Sequence, residues 1–171
     1  MRQIWTRSSR RTRWLVPAIA ALAVTVVWTL SASATSGPTT ITLREVAIPK
    51  NDRALGTFTF DRPPVAGDQF VSKNALYEGG ARVGHSEILH TFVTGFGSKF
   101  THKGTILFIA QIFLQRGTLL VQGYGQVSPG TGSRFTLPVV GGTGIYSGAR
   151  GHLDVDKVSD SRTTLEFHLE A

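Results

Sequence analysis

Cysteine is absent from all 171 residues. No disulfide can brace the chain and no thiolate can serve it, so the fold must hold by packing alone. Helical periodicity is hard to find after residue 40, and no unit of about 20 to 50 residues repeats, which argues against a propeller or solenoid. Charge is sparse as well. The formal net charge is +7, but five of the eighteen basic residues, and none of the eleven acidic ones, lie in the first 34 positions. Beyond them thirteen basic residues face eleven acidic ones, a net of +2. So small an excess gives no electrostatic case for nucleic acid. The histidines lack ligand spacing. His85 and His90 fall on opposite strand parities, His102, His152 and His168 are scattered, and no metal site is expected.

What is present begins with an export-like segment. Arg2, Arg7, Arg10, Arg11 and Arg13 form a basic start, Trp14 to Leu30 carry no charge, and Ala32-Ser33-Ala34 suits cleavage before Thr35. The expected organisation is a signal peptide over 1–34, a polar lead-in over 35–40 and one domain over 41–171. The expected location is outside the cell. The alternative is an uncleaved anchor through residues 14–30, the one route by which the chain would meet a membrane.

Short alternating runs separated by turn residues predict strands near 40–47, 54–60, 69–77, 82–94, 104–115, 118–124, 132–138, 149–157 and 162–170. Many short strands without helices predict an all-β fold, a closed antiparallel eight-stranded barrel that leaves no sheet edge exposed. Successive side chains of a strand point to opposite faces. Parity then turns Ile41, Leu43 and Glu45 inward on the first strand, and Phe58 and Phe60 to one face of the second. Phe70, Ser72, Asn74 and Leu76 turn inward on the third, as do Ser86, Ile88, His90 and Phe92 on the fourth. Three strands thus bring Glu45, Asn74 and His90 to an otherwise apolar interior. The fifth strand, 106–114, has one polar residue in nine and no alternation, so both its faces are expected to be covered, by a loop or by another subunit.

Gly141-Gly-Thr-Gly-Ile-Tyr-Ser-Gly-Ala-Arg-Gly151 holds five glycines in eleven positions. No lysine follows the last glycine and no helical segment follows the stretch, so a phosphate loop is rejected and a glycine-built corner between strands is expected. Together with Leu119-Leu-Val-Gln-Gly123, this stretch resembles the allene oxide cyclase and dirigent families, which pair an L-x-V-Q-G strand with such a corner. The resemblance implies a β-barrel that assembles as a homo-oligomer, a trimer in those families. It also implies a hydrophobic small-molecule ligand, cyclised or isomerised in the lumen without a cofactor. A non-catalytic ligand-binding, dirigent-like or structural barrel at the cell surface is the alternative.

In proteins similar to the cyclases, a first-strand Glu works with Asn residues that hold a water. Glu45 and Asn74 fall at two of those positions. The chain departs from the pattern where Ala47 replaces the other Asn, Arg53-Ala54 stand near a Ser-Pro pair, and His90 replaces a Cys. The expected catalytic residues are Glu45, His90 and Asn74, with Phe58, Phe60, Phe92, Gln122 and Arg150 contacting the ligand.

Overall fold

The alternating runs become strands almost where parity places them. In the computed structural model, which describes residues 39–97, 102–129 and 132–170, nine strands follow one another. They are β1 (Thr39–Val46), β2 (Arg53–Leu55), β3 (Gln69–Glu78), β4 (Ala81–Phe92), β5 (Gly104–Leu114), β6 (Gly117–Val127), β7 (Ser133–Gly142), β8 (Gly151–Ser159) and β9 (Arg162–Leu169). The expected signal segment, and the lead-in up to residue 38, lie outside the described residues. All pairings are antiparallel, in the order β1-β9-β8-β7-β6-β5-β4-β3. The ring closes where β1 meets β3 through Arg44↔Tyr77, Glu45↔Leu76 and Val46↔Ala75. The result is an eight-stranded closed barrel, with β2 added as a short ninth strand on the part of β3 that β1 does not cover. A register shift between Leu76 and Tyr77 sits beside the seam: Leu76 pairs with Gly84 and Tyr77 with Arg82, so Val83 is an extra residue on β4, and the bulge bends that strand.

One half of the interior is filled. Leu43, Leu76, Ile112, Leu119, Val121 and Phe167 are almost wholly buried there, and each contributes roughly 1.5–3 kcal/mol by leaving water. Toward the other end the side chains stand back from one another and leave a space. Gly125 on β6 belongs to that half: a Cβ there would meet the Phe135 ring at 2.5 Å, so the missing side chain makes room for Phe135 to stack on Phe108 at 5.1 Å.

The glycine stretch is structural, as its sequence context indicates. It leaves β7, makes one 3-10 turn (Gly144–Tyr146) and lies over the β5–β6 turn through Thr143 N–H to Thr118 O (2.8 Å) and Ile145 N–H to Arg116 O (3.1 Å). Gly144 has φ +62°, and a Cβ would come within 2.3 Å of Arg116 O, so no other residue fits without strain.

Two sequence expectations need correction. The second strand ends at Leu55, because Gly56 turns the chain with φ +62° and Phe58 N–H bonds back to Leu55 O. Phe58 and Phe60 therefore do not share a strand face: Phe58 is buried, and Phe60 is 56 % exposed. The fifth strand does alternate. Ile106, Phe108, Ala110 and Ile112 point inward, while Leu107, Ile109, Gln111 and Phe113 point outward, with Ile109 41 % exposed. No loop among the described residues covers that outer face. Apolar residues occur on both sides of β5, which is why its sequence shows no period.

Candidate functional site

The hollow half of the barrel encloses a cavity of about 320 Å³. Its walls are mainly aromatic and aliphatic, including Phe70, Phe92, Phe108, Phe135, Ile88 and Leu165. Glu45, Ser72, Asn74 and His90 interrupt this surface, and Asp52, Lys157 and Asp160 reach it from the end where β8 turns into β9.

Strand register explains how the polar groups meet. Asn74 of β3 faces Ser86 of β4, and Phe70 faces His90. At the seam Glu45 faces Leu76, one inward step along β3 from Asn74. The Ser86 hydroxyl donates a short hydrogen bond to Glu45 Oε1. Asn74 also hydrogen-bonds the Glu45 carboxylate, while its Oδ1 accepts the Ile48 N–H at 3.4 Å. That division of labour orients the amide with its NH₂ toward the carboxylate. Burial pushes the Glu45 carboxyl up from its ordinary value, against the opposing hydrogen bonds from Ser86 and Asn74. No Lys or Arg among the described residues is ion-paired with it to reverse the shift. A carboxyl raised toward neutrality by an apolar setting is suited to giving and taking a proton.

His90 is a different kind of group. Burial lowers its pKa to about 3, so the ring is neutral at physiological pH. It stacks flat on Phe70 (4.0 Å, 5°), meets Phe108 edge-on, and shares a 2.9 Å hydrogen bond between Nε2 and Ser72 Oγ. Glu45 and His90, both expected to be catalytic, face the same cavity but share no hydrogen bond among the described residues. Each instead has its own serine, Ser86 for Glu45 and Ser72 for His90.

Of the residues expected to contact a ligand, Phe92 lines the cavity. Phe58 lies behind it in an aromatic cluster, 6.3 Å from both Phe70 and Phe92 by ring centroid, and is capped by the Arg62 guanidinium at 5.3 Å. Phe60 packs edge-on to Phe58 from the solvent side, carried out of the barrel by the Gly56 turn. Gln122 and Arg150 are both exposed. Gln122 points outward because its neighbour Val121 points in, and the Arg150 guanidinium bonds the Val140 and Ala149 carbonyls at the glycine corner. Phe58, Phe60, Gln122 and Arg150 thus do not line the cavity.

Asp52 was not identifiable as a cavity residue from sequence. Its Oδ1 is buried without a hydrogen-bond partner among the described residues, and burial raises its pKa. It follows a 3-10 turn (Pro49–Asn51), where strand parity has no meaning. Lys157, ion-paired with Asp160 at 2.9 Å, is likewise brought in by the β8–β9 turn. Ser72 and Ser86 have the inward parity expected for them, but their partners depend on register.

No family model matches the chain, and no curated protein does. Solved structures with the same fold do exist. A structure described as pyocyanin demethylase superposes with a TM-score of 0.61 at 21% identity, over 77% of this chain and 99% of that one. AbnU, an exo-specific intermolecular Diels-Alderase, gives 0.59 at 16% identity over 78% and 98%. A pterocarpan synthase dirigent protein gives 0.58 at 14% identity over 78% and 94%. The barrel fold is thus one found in dirigent proteins and in cycloaddition enzymes. These identities establish the fold alone, and the likeness to allene oxide cyclases in particular rests on the sequence motifs.

Proposed function

We propose that the barrel binds a hydrophobic small molecule in its lumen and cyclises or isomerises it without a cofactor, with Glu45 as the acid–base group. The observation that carries this reading is the Glu45 carboxyl: buried, shifted upward, and exposed to an apolar cavity of about 320 Å³ rather than to solvent or a cation. Such a volume lies at the small end of the roughly 300–1,000 Å³ typical of small-molecule sites. Its walls restrict the conformers a flexible apolar chain can adopt, which lowers the entropic part of a ring-closure barrier. Glu45 gives a proton to an oxygen on which charge develops and takes it back as the product forms, so the composition of the ligand is unchanged. Asn74 and Ser86 hold the carboxyl in place, and the neutral His90 offers a hydrogen-bonding edge within an aromatic wall. Dirigent and Diels-Alderase barrels of the same fold support a role in steering bond formation. The motif resemblance supports the choice of a cofactor-free rearrangement.

A non-catalytic carrier is favoured by one observation: Glu45, Asn74 and His90 already have protein partners without a ligand. In either case the reading includes export directed by residues 1–34, and a homo-oligomer formed by copies of this chain. The outward Leu107, Ile109 and Phe113 of β5, flanked by Leu89 and Tyr124, support the oligomer.

The test is mass spectrometry of apolar compounds released from the folded full chain, set against an Ala110→Trp variant whose indole fills the cavity. The expected result is a compound bound to the native chain and lost from a variant that still unfolds cooperatively. Identical extracts from both would remove the lumen as the binding site.

A further inference from the structure

We propose that the outer wall of the barrel carries a site for a divalent late transition-metal ion, built by His152, Asp154 and His168 with Glu166 beside them. The site is independent of the lumen. Leu153, Leu165 and Phe167 of β8 and β9 point into the core, which turns these four residues to the outside. Sequence spacing hides the cluster, because ligands on separate strands need no common motif. The register reveals it: His152 pairs with His168 and Asp154 with Glu166 directly across the two strands.

The distances suit an ion. Zinc bound at about 2.0–2.2 Å by imidazole nitrogen and carboxylate oxygen, in tetrahedral geometry, sets its ligand atoms about 3.3 Å apart. His168 Nε2 is 3.5 Å from Asp154 Oδ2, and His152 Nε2 is 4.0 Å from the same oxygen. One ligand atom from each of the three lies within 4.8 Å of the others, so small side-chain rotations bring all three onto one ion. The two imidazoles stand side by side, centroids 4.6 Å apart and 21° from parallel. Glu166 Oε1, 3.6 Å from His168 Nε2, can supply a fourth ligand or leave that position to water.

Two further features point the same way. Thr136 donates a 2.6 Å hydrogen bond to Asp154 Oδ1, leaving Oδ2 turned toward the histidines, as an outer-shell group orients a ligating carboxylate. Asp154 and Glu166 are also like charges placed opposite each other, an unfavourable pairing that a cation would relieve. Among the described residues no Lys or Arg is ion-paired with either. The contrast on the same outer wall is His85 beside Glu87 at 3.6 Å, where Lys73 already holds the carboxylate at 2.7 Å. Two imidazoles with carboxylate oxygen match zinc, copper or nickel better than magnesium or calcium, which prefer oxygen throughout. The ion would tie β9 to β8 at the filled end of the barrel.

The full chain, stripped of metal by dialysis against a chelator, is titrated calorimetrically with zinc chloride at pH 7.5, and in parallel with magnesium chloride. One zinc ion per chain, no heat with magnesium, and a rise in the thermal midpoint with zinc are expected. His168→Ala and Asp154→Asn should each weaken zinc binding at least about ten-fold, since each removes one of three ligands. The His152→Ala/His168→Ala double variant should lose both binding and the thermal shift. All four positions are on the surface, and far-UV circular dichroism verifies that each variant is folded. Absence of zinc binding to the native chain overturns the proposal, as does zinc binding that survives in the double variant or is removed by His85→Ala instead.

Discussion

Ser86 and Glu45 are 41 residues apart, on β4 and β1, and are joined by a short hydrogen bond in which the serine hydroxyl donates to the carboxylate. Neither strand touches the other through its backbone. The bond crosses over β3, which lies between them in the sheet, and the site therefore takes its geometry from three strands at once.

Replacing Glu45 by Gln keeps the volume and removes the proton. Turnover should fall by about two orders of magnitude or more, as loss of an acid–base group typically produces. The stability effect has a definite sign. A carboxyl whose folded-state pKa lies above its ordinary 4.5 stabilises the fold below that value, and this contribution is lost as pH rises through the folded-state pKa. Thermal unfolding at pH 4 and pH 8 should therefore show Glu45→Gln gaining on the native protein at the higher pH. A gain confined to the lower pH would contradict the burial of an uncompensated carboxyl.

Ser86→Ala removes a donor from a fully buried position. It should cost roughly 1–3 kcal/mol, the penalty for an acceptor left short of a partner. It should also raise the Glu45 pKa further, because the lost hydrogen bond favoured the ionised form. The limb of the pH–rate profile that reports Glu45 then moves to higher pH. A profile that falls in amplitude without moving would assign Ser86 to packing only.

His90 should not titrate between pH 5 and 8, since burial places its pKa near 3. The unfolded chain takes up a proton below about 6.5 and the folded chain does not, so stability present above that value should erode as pH falls toward 3. His90→Phe should flatten this part of the curve, although Ser72 then loses its partner. The imidazole Cε1 proton shift in NMR reads the native titration directly, and a midpoint near 6.5 would show that solvent reaches the ring.

The outward face of β5 should mediate self-association. Ile109→Arg, which places a charge among Leu89, Leu107 and Tyr124, should convert the assembly to monomers in light scattering. Phe108→Arg should instead disrupt folding, because Phe108 is buried in the barrel. An unmodified chain that is already monomeric would dispose of the interface.

Exported protein should begin at Thr35. Its intact mass checks this, and a mass retaining all 171 residues would mean an anchor in place of a cleaved signal.

Strand parity was sufficient to place Glu45, Asn74, His90, Ser72 and Ser86 on inner faces, because alternating burial leaves a period of two in the sequence. Parity gives a face but not a neighbour. That Glu45 meets Ser86 depends on the register of β1 on β3 and of β3 on β4, and the same gap concealed His152 beside His168. Phe60 escapes parity because Gly56 ends its strand at Leu55. Gln122 and Arg150 are marked in the sequence by the motif resemblance alone, and in this chain those motif positions lie on the outer wall and at the corner. Asp52 sits beyond a strand end, where no periodic signal exists.

The ring is sealed by three residue pairs between β1 and β3, and Glu45 is the middle one. On its other edge β1 pairs with β9, from Thr39↔Leu169 to Val46↔Arg162, so enclosing Glu45 between β3 and β9 depends on the most non-local strand pairing in the barrel, a comparatively late event in folding. Until it happens, the carboxylate faces water and behaves as an ordinary surface acid. The Glu45 site is thus a certificate of completed folding: a chain whose two ends of sheet have not met can expose greasy surface, but it does not yet hold the buried carboxyl with its Ser86 and Asn74 hydrogen bonds. Hydrogen exchange at Glu45 and Leu76 should accordingly open in step with loss of ligand retention, ahead of the strands β5 and β6 on the far wall.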